Sequence, residues 1–264
     1  SFSLELVMTT RILTWNVNGL RAALRKGYES HIDRLAPDAC MLQEIRVLPE
    51  QLPQEWNPPA GWNVHWHPAQ RKGYSGTATL ARRPLEHLGT GIDGADDPEG
   101  RVLVTRVEDV TLVNIYLPAG ASSPEAQRKK ERWMKQFEVW ADWLRRRRKP
   151  VLIAGDFNIA RCEHDLYHWR SNQKTSGFLP HEREWMNGLV DSGWYDTVRE
   201  VAGDADGPYT WWSNRGQARI LDRGWRIDYV LLNSAARKRF RGVHVDREAA
   251  LEVSDHGPVV VDLE

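Results

Sequence analysis

In the stretch VLIAGDFNIA, residues 151–160, four apolar residues run into Asp156 and Asn158. Side chains two apart on an extended segment point to one face, so these two project together from the end of a buried strand. The pattern recurs along the chain. Asn16 and Asn18 end ILTWNVNG, Glu44 ends CMLQE, and Tyr116 sits in VNIYLP. Asp228 is embedded in WRIDYVLL, and Asp255 and His256 precede the last strand in VSDHGPVVV. Each junction taken singly could be a local turn device built on Asx hydrogen bonds. Six such acid- and amide-bearing junctions in one chain favour a common purpose, because chemistry is usually assembled on loops at one rim of a rigid scaffold.

The residue types narrow that chemistry. Glu44, Asp156 and Asp255 offer carboxylate oxygens, and Cys40 and Cys162 lack the close partners that a zinc site needs. An oxygen-rich set suits a hard cation, Mg²⁺ or Mn²⁺. Such an ion is most useful where negative charge builds on phosphoryl oxygens. A carboxylate such as Asp228, accepting from one ring nitrogen of His256, would fix the tautomer and favour imidazolium. The other N–H would then be left for a phosphate oxygen. Asn16 and Asn158 are neutral donors that can orient a nucleophile or its base. The set is that of phosphodiester hydrolysis.

Strands must carry these residues to their places. Segments rich in β-branched and aromatic residues include RILTWNV, ACMLQE, NVHWHP, GTATLAR, RVLVTRVE, TLVNIYLP, VLIAGDFN, RIDYVLLN, VHVDRE and GPVVVDLE. Three helices are expected: GLRAALRKGYESHIDRLAP, ending before Pro37; SPEAQRKKERWMKQFEVWADWLRRRR, opened by a Ser-Pro cap; and LPHEREWMNGLVDSG, stopped by glycine. Strands in quick succession favour antiparallel pairing, with the long helices covering the outer faces. That predicts an α/β four-layer αββα sandwich, two mixed sheets packed face to face with helices outside.

Bulk composition agrees with one folded unit. The 264 residues are 41% hydrophobic and 27% charged, without a low-complexity tract. Residues 1–10, with SFSLELV ahead of Met8, are expected to be a disordered remnant outside the fold, and 11–264 a single domain. No apolar run approaches the roughly 20 residues of a membrane span. Two cysteines do not make a disulfide framework, which points to a reducing, cytoplasmic setting. A net charge of +0 argues against indiscriminate coating of polyanions. Basic runs such as RAALRK and QRKKER read as solvated faces. Most of the 13 Trp belong to the core, but YTWWSN and RGWRID set Trp beside turn and polar signals.

Taken in order, TWNVNGLRA, LQEIRVLPEQLP, GYSGTATLAR, EGRVLVTRV, NIYLPAG, GDFNIA, SGFLPHEREWM, YTWW, GWRIDYVLL and SDHGPVVVDL resemble the blocks of the exonuclease III family of apurinic/apyrimidinic endonucleases. The resemblance runs from about Arg11 to the C-terminus. It implies the four-layer sandwich and hydrolysis 5′ to an abasic site in duplex DNA, leaving a 3′-hydroxyl and a 5′-deoxyribose phosphate. It also implies 3′–5′ exonuclease and 3′-phosphatase or phosphodiesterase activity, with a monomer acting on abasic sites or 3′ ends and no membrane partner.

Position by position, the resemblance makes Glu44 the principal metal ligand with Asn16 beside it. Asp255 is a lower-affinity metal ligand or a transition-state helper, and Asn18 is a further metal-site position, standing where some relatives have Asp. Asp156 activates or orients the attacking water and is held by Asn158. Asp228 and His256 polarise the phosphate, and Tyr116 contacts it. Trp211, Trp225 and Ile227 match the lining of an apolar pocket for the flipped sugar, whose extrusion costs less once its base is lost. Arg21, Lys26 and Tyr74 match phosphate contacts, which give affinity without sequence information. Ala119 stands where relatives carry Asn or Gln. The loop after Trp212 differs in composition from the family, with Arg215 as its candidate groove contact.

Two rivals are weaker. A phosphatase of the same superfamily would share the metal and Asp–His chemistry but not the GLRA, GWRIDY and LPHERE blocks. A binding module with a dead site should have lost some of Glu44, Asp156, Asn158, Asp228 or His256, and all are present.

Overall fold

A computed structural model describes residues 8–264, and the expectation for residues 1–7 lies outside them. The first six-stranded sheet contains β1 (Thr10–Asn16), β2 (Ala39–Gln43), β3 (Asn63–His67), β4 (Thr77–Ala81), β11 (Phe240–Val245) and β12 (Val259–Leu263), in the order β11-β12-β1-β2-β4-β3. The second contains β5 (Leu85–Thr90), β6 (Val102–Val107), β7 (Val110–Tyr116), β8 (Val151–Asp156), β9 (Tyr195–Asp196) and β10 (Asp228–Leu232), in the order β5-β6-β7-β8-β10-β9. Each sheet is mixed: β1–β2 and β7–β8 run parallel, and the other pairs antiparallel.

Period-two alternation builds the layers. On β8, Leu152 and Ala154 join Ile12, Met41, Leu112, Val230 and Val261 in the core between the sheets. Val151 and Ile153 point the other way, into a core shared with α3 (Pro124–Arg145) and α4 (Pro180–Ser192). Both faces of the strand are covered, so VLIA carries no polar residue. On β1 the same alternation sends Leu13 and Trp15 towards α1 (Leu20–Arg25) and α2 (Tyr28–Leu35). The arrangement is the expected four-layer sandwich. Shorter helices, α5 (Thr197–Ala202), α6 (Ser234–Arg237) and α7 (Arg247–Glu252), fill the connections. No helix among the described residues is long and apolar enough to cross a membrane.

Three expectations need adjustment. The first helix is two, because Gly27 at φ 99° breaks it between α1 and α2; that left-handed backbone is available to glycine at little steric cost. Thr10 already pairs with Leu263, so the first strand opens one residue before the expected boundary at 11. Strands β5 and β9 were not visible in the residue pattern. The first has an exposed central stretch with a bulge between His87 and Gly89, and the second is two residues long. The Ser-Pro cap is present: Ser123 Oγ accepts from Ala126 N–H at 3.1 Å.

Candidate active site

Strand phase puts the polar exits on one surface. Asn16 continues the inward phase of Ile12, Tyr116 that of Leu112, Asp156 that of Leu152 and Ala154, and Asp228 that of Val230 and Leu232. Register aligns them across the second sheet, where Asp156 pairs with Tyr116 on one side and Asp228 on the other. One layer below, Gln43 Nε2 crosses between the sheets to Asn114 Oδ1 at 2.8 Å and also reaches Thr14 Oγ at 3.0 Å. This buried polar layer ends the apolar core and fixes how the two sheet ends face each other.

Asn16 joins the two halves. Its Nδ2 donates to Glu44 Oε2 at 2.9 Å and to Asp156 Oδ2 at 3.0 Å. The resemblance puts Asn16 beside Glu44 as a ligand. It does lie there, but it turns its amide nitrogen to the carboxylates, while its Oδ1 accepts from Asn18 N–H at 2.9 Å. Two carboxylate acceptors on one side and a backbone donor on the other dictate that orientation. Asn18 takes part through its backbone. Tyr116 OH also donates to Glu44 Oε2, at 3.0 Å, and Arg46 pairs with Glu44 Oε1.

Backbone conformation at this rim is unusual. Asn18, Glu44, Arg46, Ser75 and Asn158 all have φ between 48° and 55°. Non-glycine residues rarely occupy this left-handed region, and such strain clusters at functional sites. Asn158 uses it to aim its N–H at Asp156 Oδ1, 2.9 Å away, while its Nδ2 donates to Leu117 O at 2.7 Å. From the loop before β12, Ser254 Oγ donates to Asn16 O at 2.8 Å, and from β1, Trp15 Nε1 donates to His256 O at 2.8 Å. The loop before β12 is thereby pinned over the site.

His256 Nδ1 lies 2.8 Å from Asp228 Oδ2, and its Nε2 is 3.8 Å from Asp156 Oδ2. Burial pulls the imidazole pKa down, but the Asp228 and Asp156 carboxylates outweigh it and hold it up at about 10. Asp156 is raised to about 7 by burial and by the charge of Asp228, against the opposing pull of His256, Asn158 N–H and Asn16. Tyr116 is pushed well above its ordinary value by burial and by Glu44 and Asp156, so it stays a donor. Asp228 Oδ1 is buried without a hydrogen-bond partner. Carboxylate oxygens of Asp156 and Asp228 and a ring nitrogen of His256 all lie within 4.8 Å of one another. An orphaned carboxylate oxygen and an excess of buried acid over base fit a divalent cation.

Beside His256 the site becomes apolar. Trp211 forms β-bridges with both His256 and Trp225. The Trp211 and Trp225 rings meet edge-on at 6.1 Å, and Ile227, Leu166 and Phe178 complete the wall. Trp211 Nε1 donates to Asp255 Oδ2 at 3.1 Å, so Asp255 joins this wall to the acidic rim. Arg21 and Lys26 are exposed on α1 and at its end, and α1 is docked by Gly19 N–H donating to Glu44 O at 2.8 Å. Tyr74 is half-buried, and its hydroxyl accepts from Arg101 at 3.0 Å. Arg215 is exposed, lining a hollow of about 300 Å³ beside Trp225.

The endonuclease/exonuclease/phosphatase family matches residues 13–256, a span that takes in every one of these acidic, amide and imidazole groups. The chain belongs to that family. Over 252 residues it is 33% identical to an exodeoxyribonuclease of Bacillus subtilis, covering 94% of this chain and 97% of that protein. Over 256 residues it is 33% identical to the DNA repair nuclease APEX1 of Danio rerio, covering 96% and 82%. The solved structure of a 3′ phosphatase, NExo, from Neisseria, bound to a product DNA hairpin, has 29% sequence identity and a TM-score of 0.86, covering 97% of this chain and 99% of that one. The resemblance to the exonuclease III branch of the endonuclease/exonuclease/phosphatase family is borne out.

Two features of this family member escaped the sequence reading. Arg226, between Trp225 and Ile227, is fully buried and bonds Asp165 and Asp196, each through two nitrogens. Lys130, from the run read as a solvated face, is also fully buried. It falls in the phase of Met134, Phe137, Ala141 and Leu144 on α3, and a lysine on a core stripe is the signal that marks it.

Proposed function

We propose that the protein is a divalent-metal-dependent DNA repair nuclease that hydrolyses the phosphodiester bond 5′ to abasic sites in duplex DNA, residues 11–264 acting as one catalytic domain. The observation that carries the reading is the double hydrogen bond from Asn16 to Glu44 and Asp156, at 2.9 and 3.0 Å, beside the Asp228–His256 pair. It couples a cation-holding acid to a buried base within reach of an imidazolium.

In this reading Asp156 accepts the proton of the attacking water. Its Oδ1 is held by Asn158 N–H, which leaves Oδ2 facing Asn16 and His256. A carboxylate poised at about 7 is matched to general-base work at neutral pH. His256, kept as imidazolium by Asp228, donates from Nε2 to a non-bridging phosphate oxygen and stabilises the charge that develops there. Tyr116 OH is a second donor at the same rim. Mg²⁺ or Mn²⁺ would be held by Glu44 with Asp255 and the free Oδ1 of Asp228, supplying neutralisation of phosphoryl charge. In-line attack forms the bond from water oxygen to phosphorus as the P–O3′ bond breaks; O3′ takes a proton from solvent to leave as a 3′-hydroxyl, and the phosphate stays on the 5′-deoxyribose.

Trp211, Trp225 and Ile227 supply lesion choice. An apolar slot that takes bare deoxyribose and excludes a base discriminates by size. Arg21, Lys26 and Tyr74 grip flanking phosphates, and Arg215 reaches towards the groove. A monomer in the cytoplasm is the proposed acting form, a setting suited to unpaired Cys40 and Cys162.

The Neisseria neighbours, named as a 3′ phosphatase and a 3′–5′ exonuclease at 29% and 30% identity, favour a second reading in which 3′ ends are the main substrate. One gel separates the two. A labelled duplex with a central tetrahydrofuran abasic analogue, run with and without Mg²⁺, should give a single cut at the lesion. Progressive 3′ shortening, or removal of only a 3′-phosphate in a parallel lane, would favour the second reading. No cleavage of any of these substrates would overturn both.

A further inference from the structure

The buried ion pair between α3 and α4 reaches the centre of the site. Lys130 Nζ lies 2.5 Å from Glu182 Oε2 and donates to Asn158 O at 2.8 Å. Glu182, also fully buried, accepts through Oε1 from Gly177 N–H at 2.7 Å and Leu179 N–H at 3.2 Å. Gln127 Nε2 donates to Glu182 Oε2 at 3.3 Å, and Gln127 Oε1 accepts from Ser176 Oγ at 2.6 Å. The pair therefore ties both helices to the 156–158 turn and to the 176–179 turn.

Both turns are tightly placed. Asn158 is at φ 50°, and in that conformation its N–H meets Asp156 Oδ1 while its carbonyl meets Lys130. Gly177 is at φ 98°, and a Cβ there would come within 3.2 Å of Asn158 O and 3.1 Å of the Trp225 ring. Ala160 N–H donates to Gly177 O at 2.8 Å, closing the two turns on each other. A fully desolvated ammonium is costly to keep, and an apolar residue of similar volume would often serve stability equally well. The ion pair thus has a reason beyond packing.

Building on the nuclease reading above, we propose that Lys130, clamped by Glu182, is a positioning residue for the reaction, fixing the Asn158 backbone so that Asp156 is presented in its productive orientation. Lys130 touches neither substrate nor the reacting atoms. It holds a left-handed turn that relaxes without it, and small misplacements of a catalytic group are expensive in rate.

The test uses three variants of the full chain: Lys130→Met with Glu182→Gln, which removes both charges together; Lys130→Gln, neutral with one donating group; and Lys130→Arg, which keeps charge and donors. Single-turnover cleavage with saturating enzyme reports a rate constant that does not depend on the fraction of correctly folded protein, and binding to uncleaved duplex is measured in Ca²⁺. The double variant and Lys130→Gln should lose about 10- to 100-fold in single-turnover rate while binding stays within about threefold, and Lys130→Arg should recover most of the loss. If either neutral variant that folds cleaves within about twofold of wild type, the assignment is overturned. A fall in rate matched by an equal fall in binding would overturn it too. Inactive wild-type protein in the same assay would instead count against the nuclease reading, and the comparison would move to whichever phosphate ester the wild type does cleave.

Discussion

His256 Nε2 stands 3.8 Å from Asp156 Oδ2, although one side chain comes from the loop leading into β12 and the other from the end of β8 in the opposite sheet. The spacing is too long for a hydrogen bond. The Nε2–H is therefore free to donate to a third group, which in the proposed mechanism is a phosphoryl oxygen, while Asp156 takes the proton of the attacking water. Packing between the sheets sets this distance, so the chemistry depends on the sandwich staying closed.

Cation removal should silence the protein. EDTA is expected to abolish incision, with Mg²⁺ or Mn²⁺ restoring it; full activity in EDTA contradicts the mechanism. Because burial and Asp228 hold Asp156 at about 7, a share of molecules carries a proton there at neutral pH. A nearby divalent cation favours the ionised form and should release that proton. An indicator dye in weak buffer, read as Mg²⁺ is added at pH 7, should show acidification that is absent in Asp156→Asn. No acidification in the wild type would count against a cation beside Asp156.

The apolar wall should govern lesion choice more than chemistry. Trp225→Ala removes the edge-on contact with Trp211 and would widen the proposed sugar slot. The preference for abasic over intact duplex should fall by about tenfold or more, mainly through affinity for the lesion. Measuring kcat/KM on both duplexes checks it, and an unchanged ratio would assign these tryptophans to packing alone.

Much of this was legible from residue types. The period-two phase of VLIAGDFN foretells that Asp156 faces the same way as Leu152 and Ala154, and Glu44, Asp228 and His256 stand out as polar groups at apolar strand ends. What pattern alone does not reveal is how charges pair in the interior. Arg226 stands between Trp225 and Ile227, yet it is fully buried because Asp165 and Asp196, 61 and 30 residues away, accept four hydrogen bonds from its guanidinium. Lys130 and Glu182 are likewise 52 positions apart along the chain and meet only when α3 packs on α4. Asn16 is legible as a donor, but its bridging of Glu44 and Asp156 requires knowing that the sheets stack.

The Arg226 network should make stability fall in acid. Burial raises the Asp165 pKa, but Arg226 and Arg199 outweigh it and lower it from an ordinary 3.8 to about 2. A depressed carboxylate stabilises the fold fully above its unfolded value and loses that contribution as pH falls through its folded value. The window is therefore pH 4 down to 2, and the contribution is on the order of 2 kcal/mol. Urea unfolding at pH 6 and pH 3 should show part of this loss, and Asp165→Asn should be less stable at pH 6 and less sensitive to acid. The same pH dependence in variant and wild type would contradict it. Arg226→Met, which strands two buried carboxylates, should cost about 3–5 kcal/mol at neutral pH.

The most direct test of the whole account is single-turnover cleavage of an abasic duplex by Asp156→Asn, with DNA binding measured in parallel. The substitution keeps shape and the acceptor for Asn158 N–H but removes the base. Cleavage should slow by about 100-fold or more while binding stays within about threefold. Cleavage at the wild-type rate would show that the groups gathered at this rim are not the ones that break the DNA backbone.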